Sequence, residues 1–318
     1  MSGAPAAGRL EGIGLIVFTL LSWASVPLFL RVLSKDWGLD PFSANGWRYS
    51  ISAVFWLPFL AWAWKRGRLP RAMLAAAAVP VAFNIVGQSF FAWGPKLLDP
   101  GFFSFVFRVQ VVFVTLGAYF LFPSERGTLR SPRFWAGLLL VVLGSVGLIA
   151  LKPGGFPQGA TLLGIGVALA SGILFAGYGL AVRYYVSQYP PVIAFGVICQ
   201  FTALGVLAVM FTLGERAGAH ALTFTGYQWF ILVLSAFVGI AISHVTYYAS
   251  ITRLGVSVSI GIIQLQPIFT AMGSLLLFDE QLVFGQWMAG LVGVCGALLM
   301  LWTPRKPAAA AAAAETGD

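Results

Sequence analysis

The chain has 318 residues, of which 59% are hydrophobic and only 9% are charged, and its formal net charge is +9. A soluble domain carries roughly 25% charged residues, so this composition excludes a soluble globular protein and favours a chain whose solvent is lipid. The basic residues form short clusters between apolar runs. This pattern is typical of the cytoplasmic loops of membrane proteins and argues against a nucleic-acid binder with one basic face.

Ten apolar segments are each long enough to cross a bilayer, which takes roughly 20 residues. We number them spans 1 to 10 and predict an all-α membrane protein. In chain order they cover 12–33, 42–64, 72–93, 100–122, 134–151, 161–183, 191–213, 226–250, 255–278 and 284–302. Most of the 19 lysines and arginines fall in connections on the same side as the N-terminus. The positive-inside rule therefore predicts a multi-pass protein of the cell membrane with both termini in the cytoplasm.

The two halves of the chain resemble each other weakly but repeatedly. Short matches recur at a nearly constant interval: Gly12–Gly14 with Gly164–Gly166, Ser124-Glu125 with Asp279-Glu280, and Ala136-Gly137 with Ala289-Gly290. We therefore predict one unit over 1–152, a second over 153–306 and a disordered low-complexity tail over 307–318. Five spans per unit is an odd number, so the second unit enters the membrane upside down. Such inverted repeats around a central cavity are typical of alternating-access transporters.

Several motifs resemble the drug/metabolite transporter superfamily, and specifically its ten-helix EamA-type members. Span 9 carries the strongest match, with Leu254-Gly255 at its start, Gln266-Pro267 in its middle and Leu277–Glu280 at its end. Trp23-Ala24 and Arg48 also resemble family positions, whereas Val112 stands where the first half would have its proline. The resemblance implies a cavity lined by spans 1–4 and 6–9, with spans 5 and 10 packed outside. It also implies transport of small metabolites, often outward.

Arg108 is the clearest candidate for substrate binding, because it lies near the middle of span 4. An ionisable residue inside a membrane span is costly, and by default it marks a functional site. A guanidinium facing the cavity could bind a carboxylate or phosphate. The alternative is a structural arginine that donates to backbone carbonyls or closes a gate.

Other polar and aromatic residues inside the spans are further candidates for the substrate site. His244 could hydrogen-bond a substrate or carry a proton, or it could be a satisfied packing residue. Amides on cavity helices could bind substrate or join helices. The remaining predicted substrate-binding residues are Asn84, Gln88, Gln264, Trp23, Tyr178 and Tyr248. Gln264 and Gln266 are two residues apart and cannot share a helix face, so at most one of them is well placed.

Five residues are interpreted as gating or structural rather than substrate-binding. Arg48 lies nearer the predicted outer end of span 2, and the prolines permit bends. The five are Arg48, Pro27, Pro267, Glu125 and Glu280.

The sequence lacks the motifs of an intramembrane enzyme, and we predict no catalytic residue, metal site or cofactor. The two cysteines, Cys199 and Cys295, lie inside apolar runs and form no CxxC motif. None of the ten acidic residues lies in the middle of a span, which argues against proton or sodium coupling and for facilitated diffusion or exchange. Nothing resembles the selectivity loop of a channel.

The predicted partners are the lipid bilayer and a small substrate, with no nucleic acid. We expect export or exchange of an amino acid or a related small carboxylate. Drug or toxic-compound efflux and sugar-phosphate or nucleotide-sugar exchange are the alternatives. Small residues at helical spacing in span 10 let helices approach closely. They predict packing within a monomer or, alternatively, a homodimer seam through spans 5 and 10.

Overall fold

The computed structural model describes residues 4–98, 103, 106–151, 161–278 and 282–302. These residues form helices, turns and short connections, with no β-strand among them. The predicted tail and Glu280 lie outside the described residues.

Helices lie on each predicted span, in order. Their bounds are Ala4–Arg31, Pro41–Lys65, Arg71–Leu97, Gln110–Leu121, Pro132–Ala150, Leu162–Ala181, Pro191–Leu213, Gly226–Ala236 continued by Ser243–Leu254, Val256–Ile263 continued by Gln266–Phe278, and Phe284–Leu301. Spans 1 and 6 each end in a π-helical turn, at Val32–Asp36 and Val182–Val186, and a third joins the two parts of span 8 at Phe237–Ile242.

Most of these helices have the length and composition of a membrane crossing. Seven qualify among the described residues, or eight if the bent pair Pro123–Leu129 and Pro132–Gly147 is counted as one span. Span 2 and the 12-residue helix Gln110–Leu121 of span 4 are not among the seven. The all-α membrane fold is therefore confirmed, while ten crossings remain a prediction.

The helices pack with an approximate two-fold relation between the halves. Span 3 packs on span 6, and their counterparts, span 8 and span 1, also pack together. Span 4 contacts span 6, just as span 9 contacts span 1. Spans 2 and 7 pair with each other across the centre. Each of these contacts joins one half to the other, so the interface between the halves is the centre of the molecule.

Spans 5 and 10 pair with each other through glycines at the side of this bundle. A Cβ atom on Gly144 would lie 2.6 Å from the Ala289 carbonyl oxygen and 2.7 Å from the Gly293 nitrogen. A Cβ on Gly296 would lie 2.5 Å from the Gly137 carbonyl oxygen. The backbones approach this closely because no side chain stands between them. The small-residue stripe is thus used within the chain, and the homodimer seam remains a prediction.

Spans 4 and 9 are both interrupted near their middles. Span 4 is non-helical at Arg108 and Val109, and span 9 at Gln264 and Leu265. At both breaks the backbone forms hydrogen bonds between residues three apart, which is a tighter turn than in an α-helix. The Val111 N–H donates to the Arg108 carbonyl at 3.1 Å, and the Leu265 N–H donates to the Ile262 carbonyl at 3.0 Å. Discontinuous helices that meet at a repeat interface are a common place for a transporter's binding site.

Candidate functional site

A cavity lies where the two halves meet, and residues next to both helix breaks line it. Phe107, Arg108 and Gln110 come from span 4, and Ile263 and Gln266 come from span 9. Spans 1, 2, 3, 6 and 8 supply the rest of the wall. The cavity volume open to water is about 90 Å³. A cavity that holds one water needs at least roughly 10–15 Å³ on this measure, so this cavity has room for several waters or a small solute.

Arg108 lies on the cavity wall, at the break in span 4. Its Nε and Nη1 atoms are shielded from solvent and have no hydrogen-bond partner. The guanidinium lies 5.7 Å from the centre of the Phe107 ring, and within the described part of the chain it has no carboxylate partner. Nη1 and Nε are therefore buried donors that have no acceptor among the described residues.

Arg48 lies on the same cavity, although its place in the sequence favoured a position near the interface. The residue is 2% exposed. Its Nη1 donates to Asn45 Oδ1 and its Nη2 to the Ser235 carbonyl, both at 3.4 Å, while Nε has no partner. Two weak hydrogen bonds to neutral acceptors hold the group in place without neutralising its charge. The cavity thus carries two guanidinium groups.

The predicted substrate-binding residues divide into two sets. Trp23, Gln88, Tyr178 and His244 line the cavity together with Arg108. Asn84, Tyr248 and Gln264 do not line it; they are buried at 0%, 3% and 1% exposure, behind its wall. All eight remain candidates for function, but the second set could act on a ligand only through other residues.

Hydrogen bonds connect the cavity with two of these buried residues, Asn84 and Tyr248. Gln88 Nε2 donates to the Tyr49 hydroxyl at 2.8 Å, and Asn84 Nδ2 donates to the same hydroxyl at 3.4 Å and to Thr202 Oγ1 at 3.1 Å. Asn84 therefore joins spans 2, 3 and 7. Tyr178 and Tyr248 are joined directly by their hydroxyls, so Tyr248 fixes the cavity residue Tyr178.

His244 is held in an aromatic setting. Its ring stacks on Phe195 with centroids 4.8 Å apart, and Trp23 meets it edge-on at 5.2 Å. Its Nδ1 lies 3.0 Å from the Ile240 carbonyl oxygen. A carbonyl only accepts, so Nδ1 carries the proton of this bond. Trp23 in turn donates its indole N–H to Ser243 Oγ at 2.9 Å.

The sequence did not single out Asn45 or Tyr49 for the site, and it favoured Gln264 over Gln266, yet Asn45, Tyr49 and Gln266 all line the cavity. Asn45 stands three residues before Arg48, on the same helix face, so the i, i+3 spacing was an available signal. Gln266 Nε2 donates to the Trp23 carbonyl at 2.9 Å. The expectation that Gln264 and Gln266 face different ways agrees with their positions, but Gln266 is the one on the cavity.

The residues interpreted as gating or structural lie mostly away from the cavity. Glu125, 6% exposed, accepts the N–H groups of Val256 and Ser257 at 2.9 and 3.0 Å, at the start of span 9. Pro267 follows the break in span 9, where its missing N–H removes a helical hydrogen bond. Pro27 lies inside the continuous helix of span 1.

Comparison with known proteins gives a family. The sequence model of the EamA-like transporter family matches the chain twice, over residues 10–150 and 162–302. The chain belongs to the EamA-like transporter family. A comparison with curated proteins found no matching sequence.

Among solved structures, 29 chains match this chain. One crystal structure shares 20% sequence identity, with a TM-score of 0.73 over 92% of this chain and 96% of its own. This likeness shows the fold alone. As an EamA-like protein, the chain is a multi-pass membrane transporter of small molecules, and the repeat seen in its sequence is the family's own duplication.

Proposed function

We propose that this EamA-like transporter carries amino acids or related small carboxylates by alternating access, and that Arg108 and Arg48 bind the carboxylate. One observation carries the proposal: two buried guanidinium groups share the cavity wall, with unpaired donor atoms and no carboxylate partner in the described part of the chain. A charge-assisted hydrogen bond from an arginine fork to a carboxylate is among the stronger polar contacts in proteins.

The remaining wall supports a solute with both polar and apolar parts. Gln88 and Gln266 offer amide groups, while Trp23, Phe91 and Phe175 offer ring faces and edges. No described acidic residue lines the cavity to pair with an ammonium group. Among amino acids and related small carboxylates, the site therefore favours acidic amino acids and other solutes with a net negative charge over amino acids with no net charge.

The transport cycle that we propose uses the two halves, residues 1–152 and 153–306, as bodies that rock about the cavity. Both termini lie in the cytoplasm and the protein resides in the cell membrane. Outward transport or exchange is the proposed direction. The two interrupted helices support the cycle, because each belongs to a different half and both meet at the cavity.

Counterflow in proteoliposomes tests the binding role of Arg108. Arg108→Gln keeps a polar hydrogen-bond donor but shortens the side chain and removes the charge. We expect carboxylate counterflow to fall about 10- to 150-fold, the equivalent of a charge-assisted hydrogen bond worth about 1.5–3 kcal/mol. Arg66→Gln, at an exposed arginine outside the cavity, is the matched control. Equal rates in wild type and Arg108→Gln would remove Arg108 from the site.

A further inference from the structure

The two guanidinium groups give the cavity positive charge, and a negative charge must balance it when no substrate is bound. Arg48 is 2% exposed and bonded only to neutral acceptors, and Arg108 has Nε and Nη1 shielded and unpaired. Burying an unpaired charge is strongly unfavourable, and two like charges on one cavity add repulsion. A carrier that returns empty must pass through a closed state with both charges inside.

The buried carboxylates of the described chain are committed elsewhere. Glu125 accepts two backbone N–H groups at the start of span 9. Asp40 caps span 2 by accepting the N–H groups of Phe42 and Ser43, and it also accepts the N–H of Glu215. Neither lines the cavity. A mobile anion is therefore the available source of negative charge.

We infer that a small inorganic monovalent anion, chloride, occupies the cavity when the carboxylate leaves, and that the carrier exchanges one chloride for one carboxylate. The inference deepens the proposed function, because it takes the same cavity to be the transport site. The unpaired donors at Arg48 Nε and at Arg108 Nε and Nη1 would hold the ion.

The size and charge of the cavity favour a monovalent ion. A cavity with room for several waters accommodates chloride with part of its hydration shell. A multiply charged anion would demand more donors than two forks and a few amides supply. The exchange balances: one singly charged carboxylate leaves as one chloride enters, so no net charge crosses and the membrane potential drives neither direction.

Reconstituted full-length protein tests the inference with chloride as the probe and no carboxylate present. Vesicles loaded with radiolabelled chloride should release it into external chloride at least ~10-fold faster than into external sulfate, a divalent anion that the site disfavours. Equal efflux into both solutions, or no protein-dependent efflux into either, would overturn the inference.

Substitutions of the two cavity arginines test whether they form the chloride site. Arg48→Gln and Arg108→Gln should each lower chloride exchange by ~10-fold or more, whereas Arg66→Gln should match wild type. Arg108→Lys restores the charge without the fork, so it should recover chloride exchange relative to Arg108→Gln but recover carboxylate counterflow less. Chloride exchange that is indifferent to both arginines would also overturn the inference.

The outcomes separate the inference from the proposed function. Carboxylate counterflow that proceeds equally well in chloride and in sulfate, with no chloride exchange, would refute the chloride site and leave the proposed carboxylate carrier intact. Arginine-dependent chloride exchange without counterflow of any small carboxylate would support the anion site and refute the proposed substrate class.

Discussion

Arg48 can lie in the cavity because a glycine faces it. Gly239 belongs to the π-helical turn Phe237–Ile242 in span 8, and a Cβ atom there would lie 2.5 Å from Arg48 Nη2 and 2.7 Å from Val26 Cγ2. Single π-turns inside helices occur frequently at functional sites, where they re-aim the backbone. Here the turn brings Gly239 onto the cavity wall and leaves space for the guanidinium.

Gly239→Ala should displace the Arg48 guanidinium and slow transport. Inserting a methyl group into a filled site costs about 1–3 kcal/mol, and the arginine fork is its nearest neighbour. We expect counterflow to fall about tenfold. The measurement is the initial counterflow rate, alongside thermal unfolding in detergent.

Gly166→Ala is the control for that substitution, because a Cβ on Gly166 in span 6 meets nothing within 4 Å. It should transport normally and gain slightly in helix stability, by about 0.5–1 kcal/mol. Normal transport by Gly239→Ala would show that Arg48 does not depend on this glycine.

The rule that polar residues inside spans are functional found part of the site. It selected Arg108, His244 and Gln88, because ionisable and amide groups stand out in an apolar sequence. It chose Gln264 rather than Gln266. The break at Gln264 and Leu265 turns the chain between them, next to Pro267, whose missing N–H removes a helical hydrogen bond.

Among the elements, span 9 depends on a residue from the other half for its start. Gly255, with φ of 79°, ends span 8 in a left-handed conformation, and span 9 begins at Val256. Glu125, at the end of span 4, supplies the acceptors for the first two N–H groups. A carboxylate at a helix N-terminus satisfies unpaired donors and complements the helix dipole.

Glu125→Ala should destabilise the protein by about 1–3 kcal/mol, since it removes a cap and leaves two buried N–H groups unpaired. Glu125→Gln retains one acceptor oxygen, so its stability should lie between those of wild type and Glu125→Ala. Thermal unfolding in detergent measures both.

The exposed pair of Glu11 and Arg253, 2.6 Å apart, provides a comparison because it also joins the two halves. Glu11→Ala should cost no more than about 1 kcal/mol, as is usual for a surface ion pair. Equal destabilisation by Glu11→Ala and Glu125→Ala would contradict a capping role for Glu125.

The helices and their order followed from the sequence because apolar length is a direct requirement of the bilayer. The break in span 9 was signalled by Pro267. The equivalent break in span 4 carries Val112 in place of a proline and left no comparable signal. Only the structure shows its position at Arg108, and only the structure shows that span 3 packs on span 6 and span 8 on span 1.

At the scale of the whole molecule, the halves meet through matched pairs of spans, and the cavity lies on their shared interface. Such an arrangement can exchange two related shapes of similar energy, because each half can adopt the packing of the other. What drives net transport then depends on which charges travel with the solute.

A proton gradient should fail to drive uphill accumulation of the carried solute. The described cavity wall has no carboxylate to take up a proton, and the titratable His244 has its Nδ1 bonded to the Ile240 carbonyl and its ring packed between Phe195 and Trp23. Protonating it would add a third positive charge beside Arg48 and Arg108, which is unfavourable.

Proteoliposomes with an imposed pH gradient and equal solute on both sides should therefore show no accumulation. His244→Gln should behave like wild type in this assay. Accumulation by wild type that His244→Gln abolishes would identify His244 as a proton carrier and make the prediction wrong.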